Sequence, residues 1–579
     1  MDEKRFASLK TAIDQSRKQL EPFRTELADA LRNYTGPHYG NTSVGDRPIN
    51  MLQLSVDSLI QQLSSRAPQV LCRTKKTNQK AAAAELELAM NDSLKEMDFE
   101  QEHKMWCLSA IFLLGILEVG LDVVETPTVD DESLPITKVF CEAIMFDDFV
   151  CDTAGARLDR RRCAFWGHKT AMNLKDVKSN PIFDKEARDL LKEDDGNSDD
   201  ETAHIAQTRS SNTEQFNKTI EVWQIFLPYD NEIVTFAKEA NKPLRTVKWK
   251  GPAHGPYHFL GFSTVLNNML PLSPVMNWMD LDDLLNKLYV KCGAQAARQK
   301  TIGVTDTGSV KDGQTIIKAD DGDVIVANNP NAFKEATFGG VNQQTMGFAL
   351  NVKSQADFAM GNLSGQMGLG ASASTLGQEQ MIKQAGDARM SAMQGVIMSA
   401  TQKVLKDIAF YLWDHPTVEM NLTRKIQGTN ISLEFAWPRR VDGFGNEFDS
   451  RTGSYDDYGI SIVPYSMTEL APAARAQLLR QIWREDILPL VQLGVMPDPI
   501  AYLTSLAALY DLPELLDMIP ATQASMPQEA MGGSPGGMPK PGKPNGNYTR
   551  QNVSQGMSPQ AMDQQREMSM LAGAGDSRK

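Results

Sequence analysis

The chain has 579 residues and a formal net charge of −14, with 41% hydrophobic and 23% charged residues. That length implies more than one core, since single cores stop growing at roughly 250–300 residues, and the apolar content excludes wholesale disorder. The acidic balance excludes a protein that grips nucleic acid over its whole surface, because neutralising phosphates takes a basic patch.

The first segment is expected to be helical: Phe6, Leu9 and Ile13 recur at helical spacing, Pro22 interrupts, and Phe23, Leu27 and Leu31 resume on one face. A turn-rich break over Thr35–Asn50 precedes a second helix marked by Leu52, Val56, Leu59, Ile60 and Leu63. A long third helix from about Asn78 is rich in Ala, Glu, Leu and Met and could run close to Leu117. The most apolar run, Trp106–Leu117, meets Glu118 well short of the ~20 residues of a membrane span, so it reads as a buried helix passing into a strand. Strands are predicted at Glu118–Glu125, Ile136–Ile144, Thr219–Leu227, Glu232–Phe236 and Arg245–Trp249, where β-branched residues concentrate. The acidic stretch Lys192–Thr213 between them reads as a solvated loop.

A third zone begins at Pro271. From Asp280 to Lys300, Leu281, Leu284, Leu285, Leu288, Cys292 and Ala296 fit one helical face, opposed by Asp282, Asn286, Lys287, Lys291 and Arg298. A compact Gly/Asp-rich section follows over Thr301–Gly340, with short strand candidates at TIIKA and DVIVA. Helix returns from about Asn342 to Met360, a Gly/Ser/Ala stretch interrupts, and a very long helix spans Thr375–Asp414. Thr375 and Gln378 resemble a capping box, and Pro416 marks the stop. Beyond Thr417, strands (ISLEFAW and GISIVPY) mix with helices near Thr468–Leu493, Pro499–Tyr510 and Pro513–Ile519. The Pro/Gly/Met/Gln-rich tail after Pro520 is expected to lack a core of its own.

Motifs of catalysis are sparse. The Gly542–Lys543 pair is followed by Pro544, which is no phosphate-binding loop. GLGASA (Gly368–Ala373) matches a dinucleotide fingerprint by letters but lacks a preceding strand. Ser364 lacks the spacing of a nucleophile elbow, and no HExxH occurs. The six cysteines form no CxxC pair, and the charged N-terminus lacks the apolar stretch of a secretory signal. Both point to free thiols in a reducing cytoplasm. Cys141, Cys151, Cys163 and His168 lack the paired spacing of structural zinc sites and read as buried side chains. Asp147, Asp148 and Asp152 form a carboxylate cluster that reads as a turn with capping Asp residues, the alternative being a divalent cation site. The seven histidines are scattered and suggest no relay. No cofactor, metal or catalytic residue is expected, and the chain reads as a non-enzyme.

The order of parts resembles the portal proteins of tailed phages, especially short-tailed ones. Local similarity lies in Phe146–Met172, an acidic Asp-Phe turn followed by a basic helix or strand. It lies also in Pro271–Lys300, Gly322–Phe333 and Gly370–Met381. The resemblance covers roughly Leu52–Ile519 and implies an α+β, mainly helical subunit with wing, stem, clip and crown parts. The implied parts are a helical and β-rich wing (1–270), a first stem helix (271–300), a clip (301–340) and a second stem helix (341–366). A tunnel loop (367–374), a long wing helix (375–415), wing strands (416–467), a C-terminal helical crown (468–519) and a disordered tail (520–579) complete them. It further implies a homo-oligomeric ring, a dodecamer, at one capsid vertex, with the major capsid protein, the terminase packaging motor and tail adaptor proteins as partners. Viral double-stranded DNA passes through the channel, with no membrane involved. The expected location is the virion, and the host cytoplasm during assembly.

An acidic wall repels phosphates and lets DNA slide, while a few basic residues hold the strand. Lys291, Arg298 and Lys300 are the DNA-channel candidates. Gly368, Leu369, Gly370, Ala371, Ser372, Ala373 and Ser374 are the tunnel-loop candidates, small residues that permit close approach. Two other readings stay open: another virion structural protein, such as an internal core or head-completion protein, and a metal-dependent nuclease using Asp147, Asp148 and Asp152.

Overall fold

The computed structural model describes residues 2–39, 47–64, 66–125, 136–155, 162–191, 219–308 apart from 239, 310–320, 334–360, 376–415, 418–425, 432–441 and 447–462, with the single positions 326 and 481. All belong to the first of two units, Met1–Ala521. Helices α1 (Glu3–Thr35) and α2 (Met51–Leu63) lead into strand β1 (Val70–Thr74), and helices α3 (Lys80–Glu96) and α4 (Phe99–Phe112) follow. The β-rich region holds β2 (Gly115–Glu125), β3 (Ile136–Ile144), β4 (Phe149–Cys151), β5 (Trp166–Asn173) and two short helices, α5 (Leu174–Ser179) and α6 (Lys185–Asp189). It ends with β6 (Thr219–Leu227), β7 (Glu232–Ala237), β8 (Arg245–Lys248) and β9 (Tyr257–Leu260). Then come helix α7 (Pro274–Ala297), strand β10 (Lys300–Val304), helix α8 (Val310–Lys318), strand β11 (Lys334–Phe338) and helices α9 (Gln343–Ala359) and α10 (Leu376–Asp414). Strands β12 (Met420–Lys425), β13 (Ser432–Trp437), β14 (Arg439–Val441), β15 (Glu447–Asp449) and β16 (Tyr458–Ile462) close the described chain.

Every described strand pairing is antiparallel, so the class is α+β: a five-stranded sheet β4-β5-β6-β7-β8, a three-stranded sheet β3-β2-β9 and four two-stranded ladders. The main core gathers α2, α3, α4, β2, β3, α7 and the C-terminal half of α10 around Trp106, Leu86 and Phe99. A second core joins Phe6, Leu9 and Ile13 of α1 to Trp223, Ile225 and Phe236 of the five-stranded sheet, with Phe6 and Phe236 edge to face at 5.2 Å. A third packs Leu174, Val177 and Phe183 against Ile220 and Leu244.

Pro22 does not interrupt α1, which runs through it for 33 residues. A proline there lacks an N–H, and Arg24 spans the same region, donating to the Arg17 carbonyl at 3.3 Å and to the Phe149 carbonyl at 3.0 Å. The expected long third helix is two helices, because Asp98 adopts φ 50° and turns the chain between α3 and α4. The apolar run does pass from helix to strand, α4 giving way to β2 at Gly115. A Cβ at Gly115 would lie 2.4 Å from the Trp106 carbonyl, so only glycine permits that closeness. The segment TIIKA, read as a strand, belongs mostly to α8, and the strands of that section are β10 and β11 instead. Helix α9 starts where expected, Asn342 accepting from the backbone N–H of Gln344 and Thr345. Helix α10 has 39 residues, about 58 Å at the helical rise. The acidic loop, the tunnel-loop candidates and the tail lie outside the described residues, as do DVIVA apart from Val326 and the expected crown apart from Gln481.

Candidate functional site

The α7–hairpin–α9 segment is anchored by charge at its base. Arg47 donates to Asp282 Oδ2 at 2.8 Å, to Asn33 Oδ1 at 2.7 Å and to Asp283, while Asn286 accepts from the Ile49 N–H at 3.1 Å. Asp282 and Asn286 therefore sit inside, at 0% and 3% exposure, opposite to the polar face expected for them. Leu284 of the expected apolar face is exposed instead. A buried carboxylate is tolerable only when paired. Burial pushes Asp282 up to about 6 even with the Arg47 guanidinium beside it. The ordering of α7 thus depends on a cation 235 residues away in the chain.

Past Cys292, α7 leaves the core: from Gly293 to Lys300 all side chains are exposed but Gln295, and β10 is exposed along its whole length. Lys291 and Arg298 stand seven residues apart, two turns on one helix face, and Lys300 opens β10 opposite Phe338. The structure thus gathers the three DNA-channel candidates, all exposed, at one end of α7. The same segment is rich in exposed apolar side chains. Helix α9 packs Ala349, Val352 and Ala356 inward against α7. Its other sides present Met346, Phe348, Leu350 and Phe358, with Phe348 at 52% and Phe358 at 67% exposure. More than half of the exposed large apolar side chains among the described residues fall between Leu284 and Met398.

The carboxylate cluster is not assembled as a cation site. Asp152 accepts from the N–H groups of Ala154 and Ala164, a turn-capping role, and Asp148 lies 3.7 Å from Lys169. His168 is turned away from the cysteines, its Nδ1 2.8 Å from the Tyr257 hydroxyl and its Nε2 3.7 Å from Glu118. That separation is too long for a hydrogen bond. Burial and the neighbouring Glu142 push Glu118 up to about 8 despite the Gln224 amide donating to it, and burial brings His168 down to about 4. Burial thus disfavours charge on both groups where they face each other.

One constellation escaped the sequence reading. His254 precedes β9, His258 lies on it and Asp407 lies on α10; the Nε2 atoms of the two histidines sit 2.7 and 2.9 Å from the same Asp407 Oδ2. It is the one group of three or more potential metal-ligating His, Cys, Asp or Glu side chains brought together among the described residues. Gly255, at φ 95°, makes the turn that folds His254 back over His258, with ring centroids 5.0 Å apart. Burial pushes Asp407 up, but the two imidazoles together hold it below its ordinary value. Burial, aided by His254 and Lys403, holds His258 down against the pull of Asp407, so its ring tends to stay neutral. The signal present in the sequence was the His-x3-His spacing of AHGPYH.

No helix among the described residues is long and apolar enough to cross a membrane. No protein-family model matches the chain, and no curated protein matches it.

Proposed function

We propose that this chain is the subunit of a portal ring, a non-enzymatic conduit at one capsid vertex through which phage DNA is packaged and ejected. The observation that carries this reading is the apolar surface left open on α7, β10 and α9. Exposed apolar surface of this kind marks interaction faces where it forms a patch, and burying one such side chain is worth about 1.5–3 kcal/mol. In a closed cyclic ring each subunit's α9 side meets a different face of its neighbour. The α7 side, with Leu284 and Val290, is the natural counterpart.

In this reading α7 and α9 are the stem helices, the β10–α8–β11 segment is the clip, and α10 crosses the wing. Lys291, Arg298 and Lys300 face DNA, and the net charge of −14 keeps the rest of the wall repulsive to phosphate. The ring, a dodecamer, docks the major capsid protein, the terminase motor and the tail adaptors, and resides in the virion.

The test is substitution of the open surface. Phe348→Ser with Phe358→Ser is expected to convert the assembled species into monomers by native mass spectrometry while leaving circular dichroism unchanged. Assembly undiminished by both changes would remove the reading's main support.

A further inference from the structure

We propose that His254, His258 and Asp407 form a binding site for one divalent transition-metal ion of the zinc class, clamping β9 to α10. The cluster joins elements far apart in the chain: His254 and His258 flank the turn into the three-stranded sheet, and Asp407 belongs to the C-terminal part of the long helix. Three ligand atoms within 4.8 Å of one another supply two imidazole nitrogens and one carboxylate oxygen. That donor set suits zinc and its first-row neighbours, whereas magnesium and calcium prefer an all-oxygen shell.

A second observation points the same way. His258 is buried, yet its Nε2, 2.9 Å from Asp407 Oδ2, makes no hydrogen bond of acceptable geometry to any acceptor. Buried imidazole nitrogens are normally satisfied. An imidazole nitrogen left without a hydrogen-bond partner keeps its in-plane lone pair available to a metal ion. The 2.7 and 2.9 Å separations fall below the roughly 3.3 Å edge of a tetrahedron with bonds of ~2.0 Å, so binding spreads the ligands by about half an ångström. His254, half exposed, has the room to make that movement and leaves an open side for water as the remaining ligand.

Metal binding takes an ionised carboxylate and neutral imidazoles. The Lys403 ammonium, one turn earlier on α10, is the nearby charge that opposes a cation. The site's role is structural on this placement, since β9 pairs with β2 and α10 packs against both strands. The proposal stands apart from the ring reading and holds or fails on the chain alone.

The test uses full-length protein stripped with a chelator and then given zinc alone. The expected result is about one zinc per chain after gel filtration, with thermal unfolding raised by about 2–4 °C. His254→Ala, at a half-exposed position, and the near-isosteric Asp407→Asn each weaken zinc binding by at least about tenfold and abolish the thermal shift. Magnesium in place of zinc gives neither effect. Zinc not retained by the wild-type chain at micromolar concentration, or retained equally by His254→Ala, overturns the proposal and leaves a metal-free His–Asp–His cluster.

Discussion

The core around α4 and the segment formed by α7, β10, β11 and α9 solve opposite problems. Around α4, the buried His103 ring is answered within the chain: it is wholly enclosed, its Nδ1 2.6 Å from Ser64 Oγ and its Nε2 2.9 Å from Thr401 Oγ1. That triad ties α2, α4 and α10 together. Along α9 the reverse holds, for apolar groups such as Phe348 and Phe358 are exposed and nothing in the described chain covers them. The first region is complete within the chain, whereas the second, in the proposed ring, would be completed by a neighbour. On that reading stability and assembly reside in different residues, and each can be perturbed without the other.

The sharpest way to separate them is to strike the closed region. Trp106→Ala removes a side chain with no exposed surface and is expected to cost about 3–5 kcal/mol in urea unfolding. Arg47→Ala is expected to cost a similar 3–5 kcal/mol, because it strands the buried Asp282 carboxylate. Adding Asp282→Asn should recover part of that loss, and a double change no milder than Arg47→Ala alone would show that the anchor acts through packing rather than charge.

Acid probes the same core. Burial lowers His103 and His168 to about 4, below the ordinary value of 6.5. A depressed histidine adds stability in full above the unfolded pKa, and the contribution is lost as pH falls from about 6.5 through 4. Each ring is worth on the order of 3 kcal/mol across that window. Unfolding free energy followed between pH 7 and 4 should fall accordingly, and His103→Gln should make the fall shallower. An equally steep fall in that variant would place the acid sensitivity elsewhere.

The smallest effect belongs to the exposed basic trio. Replacing Lys291, Arg298 and Lys300 with Ala should leave unfolding within about 0.5 kcal/mol of the parent. It should reduce the salt dependence of DNA binding by about 2–3 in log–log slope. An unchanged slope would take these residues out of the channel.

Strands β3 and β6 were legible to the residue, because β-branched alternation bounded by turns is a local signal. The length of α10 and the start of α9 near Asn342 were legible too, because helical periodicity is likewise local. What misled were residues governed by distant partners. Asp282 and Asn286 look like a solvated face until Arg47 is seen to reach them. Pro22 looks like a break until the Arg24 side chain is placed. The α3–α4 turn depends on one left-handed Asp98, which no periodicity announces. His254 and His258, read as two of seven scattered histidines, lie four residues apart, and their carboxylate is 149 residues further along on another element. Only the fold brings Asp407 to His258. The candidate channel residues could be named as basic positions at the end of a helix, yet their common exposure beside an apolar surface is a tertiary fact.

In the proposed assembly the open surface closes by self-association into a ring. Purified full-length protein imaged by negative-stain electron microscopy, with its mass taken by native mass spectrometry, tests it most directly. The account predicts ring particles of about a dozen subunits with an axial hole. A monomer or dimer at micromolar concentration, with no ring at any salt concentration, would contradict it.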